Sequence, residues 1–175
     1  MKPSSPPLER FYNLGRLARA GDEVTITAKP NELLQIAEWL EVRALNRLTA
    51  RVSLKKLSDV SFSYVADLRA EVTQDCVVTL EPVHSAVERS IRRELHYDES
   101  GSLESQVSVD SDLEADDVRE EISTLQYDLA APILEELALA IDPYPRASGV
   151  TFSPPSDQDG APESPFAVLK NLKKP

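Results

Sequence analysis

Apolar residues occupy alternate positions over a long stretch in the middle of the chain, and this pattern constrains the fold more than any other feature. Gln74 alone interrupts the series of apolar even positions, and most of the odd positions are polar. A period of two residues is typical of a strand with one buried and one solvent-exposed face. The stretch therefore predicts one long strand, or two bent strands in a single register, in an antiparallel sheet. The apolar series comprises Val60, Phe62, Tyr64, Ala66, Leu68, Ala70, Val72 and Cys76.

Weaker patterns predict the other elements of the body. Alternation predicts strands over residues 24–28, 48–55 and 122–129. Apolar residues at helical spacing predict amphipathic helices over residues 30–41 and 132–141. Each helix has a proline in its first turn, where the missing N–H group costs nothing, and two prolines after residue 141 prevent the second helix from continuing.

Residues 85–97 fit two periods at once. Val87, Ile91 and Leu95 recur every four residues, as in a helix, while Arg89 and Arg93 alternate with them, as in a strand. We favour the strand, and the helix stays open as the alternative.

These elements predict an α+β fold, a single domain with a mainly antiparallel sheet and two amphipathic helices, followed by a flexible C-terminal tail. The body is expected to span residues 1–147 and to include a long acidic loop at about 98–117. Residues 148–165 are rich in Pro, Ser, Gly and Asp and predict a disordered linker. Residues 166–175 predict a short helical motif, which is too short to be stable alone in water and should become ordered by docking on the body or on a partner.

The negative charge of the chain is concentrated in one region. The formal net charge is −11, and residues 94–140 alone carry −13. Such a protein is a poor generic binder of nucleic acid, because association with phosphate depends on cations. The acidic segment either attracts a basic partner or is simply a solvated loop.

The sequence offers little for catalysis or for binding a metal or cofactor. It has one cysteine and two histidines, without recognised metal-ligand spacing, and no glycine-rich phosphate loop. Cys76 falls in the apolar series, where a free cysteine is usually a small buried hydrophobe rather than a nucleophile. We therefore expect no enzyme activity, no cofactor and no small-molecule substrate. With no hydrophobic segment at the N-terminus and none long enough to span a bilayer, we expect a cytoplasmic protein without a membrane partner.

Basic residues along the predicted strands define a possible RNA-binding surface. Arg51, Lys55 and Arg69 are the candidates for contact with RNA, because such a face could hold the phosphate backbone. No aromatic stacking residues are interleaved with them, so an ordinary solvated sheet face is the alternative. The residues considered for this face are Arg43, Arg47, Arg51, Lys55, Lys56, Arg69, Arg89, Arg92 and Arg93.

Three segments, in this order, resemble the YceD family of large ribosomal RNA subunit accumulation proteins of bacteria and plastids. They are VTQDCVVTLEPV at residues 72–83, LALAIDPYPR at 137–146 and SPFAVLKNLK at 164–173. The second and third are similar to the alphaproteobacterial branch. Many relatives have a second cysteine where this chain has Thr79, and others have a C-terminal cysteine cluster that this chain lacks, so a metal site does not carry over. The residues that match the family motifs are Cys76, Thr79, Leu80, Glu81, Pro82, Asp142, Pro143, Pro145, Phe166, Leu169 and Lys170.

The resemblance implies a non-catalytic factor needed for normal accumulation of the large-subunit ribosomal RNA. Its expected partners are a large-subunit ribosomal protein, pre-ribosomal RNA or both. In this hypothesis the acidic segment holds a basic ribosomal protein, while the basic sheet face or the lysine-rich tail contacts RNA. The alternatives are an enzyme acting on RNA or a small molecule through Cys76 or a histidine, and a regulatory protein-binding adaptor.

Overall fold

A computed structural model describes residues 6–98 and 118–152 of the chain. The acidic loop beyond Asp98, most of the predicted linker and the whole C-terminal motif lie outside these residues. The first half contains β1 (Phe11–Asn13), a 3-10 turn (Leu14–Arg16), β2 (Asp22–Thr27), α1 (Pro30–Trp39), β3 (Ala44–Lys56) and β4 (Ser61–Asp75). The second half contains β5 (Pro82–Tyr97), β6 (Val118–Ile122), β7 (Gln126–Asp128) and α2 (Ala131–Ala140).

A five-stranded sheet in the order β2-β3-β4-β5-β6 forms the centre of the fold. Its pairs are antiparallel except β5 with β6, which is parallel. Most of the alternating series forms the single continuous strand β4, and its apolar side chains from Phe62 to Val72 are buried. Val60 and Cys76 lie just outside the strand, and Val60 is exposed rather than buried. A separate two-stranded antiparallel sheet joins β1 to β7. The predicted α+β class with a mainly antiparallel sheet and two helices is confirmed.

One face of the five-stranded sheet, here called the inner face, carries the hydrophobic core. Helices α1 and α2 pack on it, against β3 and against β4 and β5 respectively. Tyr64 is fully buried there, and its hydroxyl donates a hydrogen bond to the Leu129 carbonyl at 2.9 Å. Its ring meets the edge of the Tyr127 ring with centroids 5.9 Å apart. The opposite face, here called the outer face, carries the polar side chains of the same strands.

Residues 85–97 lie within β5, so the strand interpretation is confirmed. The assignment of Arg89 and Arg93 to the outer face is wrong. They share odd numbers with Val87, Ile91 and Leu95, and a strand places residues of one parity on one face. Both arginines therefore point to the inner face, where they reach acidic residues of α2.

The single strand predicted over residues 122–129 is also wrong. Two short strands occupy this region, and they belong to different sheets. The Thr124 hydroxyl accepts a hydrogen bond from the Gln126 N–H at 3.2 Å, and the Leu125 carbonyl accepts one from the Leu14 N–H at 2.9 Å. These bonds turn the chain away from β5 and toward β1, because a threonine hydroxyl can close a local turn that competes with strand pairing.

Arg93 connects three elements on the inner face. Its guanidinium lies 2.9 Å from a Glu120 carboxylate oxygen in β6 and 2.6 Å from one of Glu135 in α2. The Tyr127 hydroxyl donates to the same Glu120 oxygen at 2.9 Å. Since the Arg93 side chain is only 20% exposed, these charged bonds are partly shielded from water.

We expect Arg93→Gln to lower the free energy of unfolding by about 1–2 kcal/mol, because it leaves two carboxylates without their cation. Urea unfolding measures the change. The matched control is Arg69→Gln, whose guanidinium forms an exposed pair with Glu88 at 3.6 Å and should cost less than about 0.5 kcal/mol. Equal losses for the two variants would contradict this role for Arg93.

No helix in the described part of the chain is long and apolar enough to cross a membrane.

Candidate functional site

The chain between β4 and β5 forms a closed turn over residues 76–81. The Cys76 N–H donates to the Glu81 carbonyl at 2.8 Å, and the Leu80 N–H donates to the Cys76 carbonyl at 2.9 Å. Pro82 then opens β5 opposite Asp75, a strand position where a missing N–H is tolerated. The turn places Leu80 in the left-handed region, at φ 60°, which a branched side chain rarely adopts.

A second segment, after α2, lies against this turn. The Gln74 side-chain amide donates to the Asp142 carbonyl at 2.8 Å, across 68 residues of sequence. The Val77 N–H donates to the Pro145 carbonyl at 2.9 Å, and Pro145 is buried. The two family motifs at residues 72–83 and 137–146 are therefore joined in space by one bond from a side chain to a carbonyl and one bond between backbone groups.

Cys76 links the two segments through hydrogen bonds to its sulfur. It is fully buried, as expected for a small hydrophobe, and its sulfur accepts hydrogen bonds from the N–H groups of Thr79 at 3.5 Å and Ala147 at 3.4 Å. Hydrogen bonds from the Thr79 side chain, then from the amides of Ala147, Thr79 and Val78, lower the pKa of the Cys76 thiol to about 7, and burial opposes this more weakly. A buried sulfur that accepts hydrogen bonds from both backbone segments supports their arrangement.

The two segments carry exposed side chains that we call the motif surface: Val77, Leu80, Glu81, Asp142 and Tyr144. Leu80 is 74% exposed, Tyr144 is 70% exposed and Val77 is 47% exposed. The carboxylates of Glu81 and Asp142 make no ion pair within residues 6–98 and 118–152, and Arg146 is exposed in the same segment. The motif surface thus combines exposed apolar side chains with two carboxylates.

The residues predicted from the motifs divide into two groups. Cys76 and Pro145 are buried supports of the motif surface, whereas the others within the described ranges are exposed. Phe166, Leu169 and Lys170 lie outside the described residues. The exposed residues are Thr79, Leu80, Glu81, Pro82, Asp142 and Pro143.

The sequence prediction did not include Val77 and Tyr144 among the site residues. The position of Tyr144 between two prolines could have indicated it, because prolines keep the flanking backbone extended and a large side chain there has little to pack against. Val77 follows the end of the alternating series and carries no comparable signal.

We expect Cys76→Ala to loosen the turn, because the N–H groups of Thr79 and Ala147 lose their acceptor. The melting temperature should fall by about 2–4 °C. The Cys76→Ser variant keeps a hydrogen-bond acceptor, so its melting temperature should fall less.

The same residue should make stability depend on pH. The folded pKa of about 7 is below the ordinary value of 9.0, so the thiolate stabilises the folded protein fully above pH 9 and no longer does so once the pH falls through 7. The stability difference between wild type and Cys76→Ala in urea should therefore be larger at pH 9 than at pH 6. A difference that does not change with pH would contradict the hydrogen-bonded thiolate.

Arg51, Lys55 and Arg69, the candidates for RNA contact, all lie on the outer face of the sheet. A groove of about 540 Å³ on this face is lined in part by Arg51 and Arg69. Carboxylates lie between them: Arg51 is 3.2 Å from Glu23, and Arg69 is 3.6 Å from Glu88. The face therefore has mixed charge rather than a continuous basic surface.

Among residues 6–98 and 118–152, no three His, Cys, Asp or Glu side chains are grouped as metal ligands would be.

A family model described as "Large ribosomal RNA subunit accumulation protein YceD" matches residues 65–173. Neither a search of curated proteins nor a search of solved structures found a match. The match runs from within β4, through both segments of the motif surface, to Lys173. Since it covers more than half of the chain, the protein belongs to the YceD family of large ribosomal RNA subunit accumulation proteins.

Proposed function

We propose that this protein is a non-catalytic factor that supports accumulation of the large-subunit ribosomal RNA by binding a component of the assembling subunit at the motif surface. The observation that carries the proposal is the meeting of the two family motifs in one place. Their buried residues fix the backbone, and their exposed residues, Leu80 and Tyr144 above all, point outward. On this proposal the protein acts in the cytoplasm, as expected from its sequence.

The composition of the motif surface favours binding over catalysis. Large exposed apolar and aromatic side chains are typical of the centres of protein interfaces. Leu80 keeps its apolar side chain in solvent although its backbone conformation would suit glycine. Such strain at an exposed position supports a role outside the folding of the chain.

A large-subunit ribosomal protein with a basic surface is the partner that the charges favour. Glu81 and Asp142 lie on the motif surface itself, and residues 94–140 add a net charge of −13. Charge of this sign attracts cations and repels phosphate. Direct contact with pre-ribosomal RNA is less favoured, because Arg51 and Arg69 on the outer face are paired with carboxylates.

Crosslinking of the tagged full-length protein in its native cells tests the proposal. We expect large-subunit ribosomal proteins among the captured molecules, and we expect their loss in a Leu80→Asp variant. The control is Leu34→Asp, since Leu34 is a 71% exposed leucine on α1 and is not one of the residues of the motif surface. Capture of precursor RNA without ribosomal protein would indicate that the bound component is RNA. Recovery of neither, with the protein free at the top of a sedimentation gradient, would overturn the proposal.

Neutralising the acidic residues of the segment at 98–117 to Asn and Gln should slow association with a basic ribosomal protein about tenfold at low salt and flatten its salt dependence. Stopped-flow mixing measures both quantities. A matched control neutralises acidic residues of the outer face, including Glu23, Asp67 and Glu88. It changes the net charge of the protein outside the acidic segment. An unchanged association rate in the first variant would show that this segment does not attract the partner.

A further inference from the structure

The motif surface leaves apolar side chains in solvent within the described residues. Leu80 and Tyr144 are both at least 70% exposed, and Val77 lies beside them in the same pair of segments. Large apolar side chains left in solvent on two adjoining segments are often covered by a partner or by another part of the same molecule. We propose that, when no ribosomal component is bound, residues 164–174 of the same chain cover the motif surface.

The chemistry of residues 164–174 matches this surface. The segment reads SPFAVLKNLKK and carries three apolar anchors, Phe166, Leu169 and Leu172. It also carries three lysines and no acidic residue. The anchors can pack against the apolar side chains of Val77, Leu80 and Tyr144. The lysines can form ion pairs with the carboxylates of Glu81 and Asp142. These two carboxylates outnumber the one exposed cation of the same segments, Arg146. Apolar contact supplies the affinity, and opposite charge favours this occupant over an acidic one.

The chain is long enough to make the contact. The described residues end at Phe152, which follows the motif segment by only a few residues. Eleven residues separate Phe152 from Ser164, and an extended chain of that length reaches about 36–40 Å. The segment can therefore return to the motif surface of its own molecule.

Tethering makes even a weak contact effective. A short flexible linker, as the sequence predicts here, holds a segment at an effective concentration of about 1 mM. An intrinsic dissociation constant of about 0.1 mM, within reach of three partly buried apolar side chains, would then give roughly tenfold more covered than open molecules. The tail would hide the apolar surface until a partner displaces it.

The extent of the family match is consistent with this pairing. It begins within β4 and ends at residue 173, so it omits β1, β2 and β3 but includes the motif surface and all but the last residue of the segment 164–174. The two parts of the proposed contact thus lie within one matched unit.

Photo-crosslinking in the purified full-length chain tests the inference. Phe166 is replaced by benzoylphenylalanine, an aromatic residue that captures its neighbours on illumination, and mass spectrometry locates the products. We expect crosslinks to residues 77–81 and 142–146 of the same molecule. Leu80→Asp should reduce them about tenfold or more, since it removes an apolar anchor and adds a charge. Leu34→Asp, the matched exposed leucine, should leave them unchanged.

Three outcomes would overturn the inference. They are crosslinks spread over other surfaces, crosslinks that Leu80→Asp does not reduce, and crosslinks between light and heavy isotope-labelled chains, which would make a second copy the occupant. Tyr144→Asp provides a second disrupting variant if Leu80→Asp does not fold. Because the assay contains no ribosomal component, it can fail while the proposed function stands, and the reverse also holds.

Discussion

Leu80→Gly should abolish function without destabilising the protein. Leu80 adopts φ 60°, and a side chain in the left-handed region costs about 1–2 kcal/mol, which glycine does not pay. The leucine is 74% exposed, so its removal forfeits little burial. We expect the free energy of unfolding to stay unchanged or to rise by up to about 1 kcal/mol. In cells that carry only this variant, the ratio of large- to small-subunit ribosomal RNA should fall to that of cells lacking the protein.

Two further variants make this result specific. Leu80→Asn suits the same backbone conformation and also removes the apolar side chain, so it should behave like Leu80→Gly. Leu34→Ala removes an equally exposed leucine from α1 and should leave ribosomal RNA levels normal. If Leu80→Gly supports normal accumulation in a stable protein, the motif surface does not act through Leu80.

The sequence predicts the centre of the fold because one signal determines it. The even-numbered apolar residues of β4 define both the strand and its buried face, since successive side chains of a strand point to opposite sides. In β5 the buried residues Val87, Ile91 and Leu95 recur every four residues, a spacing that fits either a strand or a helix. Pairing with β4 over its whole length decides for the strand, which the local pattern favoured without excluding a helix.

Long-range pairing explains what the sequence did not predict. The parallel pairing of β5 with β6 joins strands separated by residues 98–117, and a parallel pair always needs such a long connection. Val77 of the motif surface and the buried Pro145 meet through backbone atoms, whose pairing leaves no trace in side-chain periodicity. The family resemblance placed both segments in one motif set, but their contact and the exposure of Tyr144 came only from the structure.

Tyr64→Ala should cause the largest loss of stability among these variants, about 3–5 kcal/mol in the free energy of unfolding. Tyr64 is fully buried in β4, where it fills the inner face and packs edge-on against Tyr127. Its hydroxyl also satisfies the buried Leu129 carbonyl, across 65 residues of sequence. Guanidinium chloride unfolding, followed by circular dichroism, measures the loss.

Comparison with two other tyrosine variants separates packing, hydrogen bonding and function. Tyr64→Phe keeps the ring but leaves the Leu129 carbonyl without its donor, so it should cost about 1–3 kcal/mol. Tyr144→Ala removes a tyrosine that is 70% exposed, so stability should hardly change while partner binding falls. Similar losses of stability for Tyr64→Ala and Tyr144→Ala would contradict the division between a core that fixes the sheet and a surface that is free to bind. The alternating series already predicts this contrast for Tyr64, because an even position in β4 faces the core, whereas Tyr144 depends on the turn that follows α2.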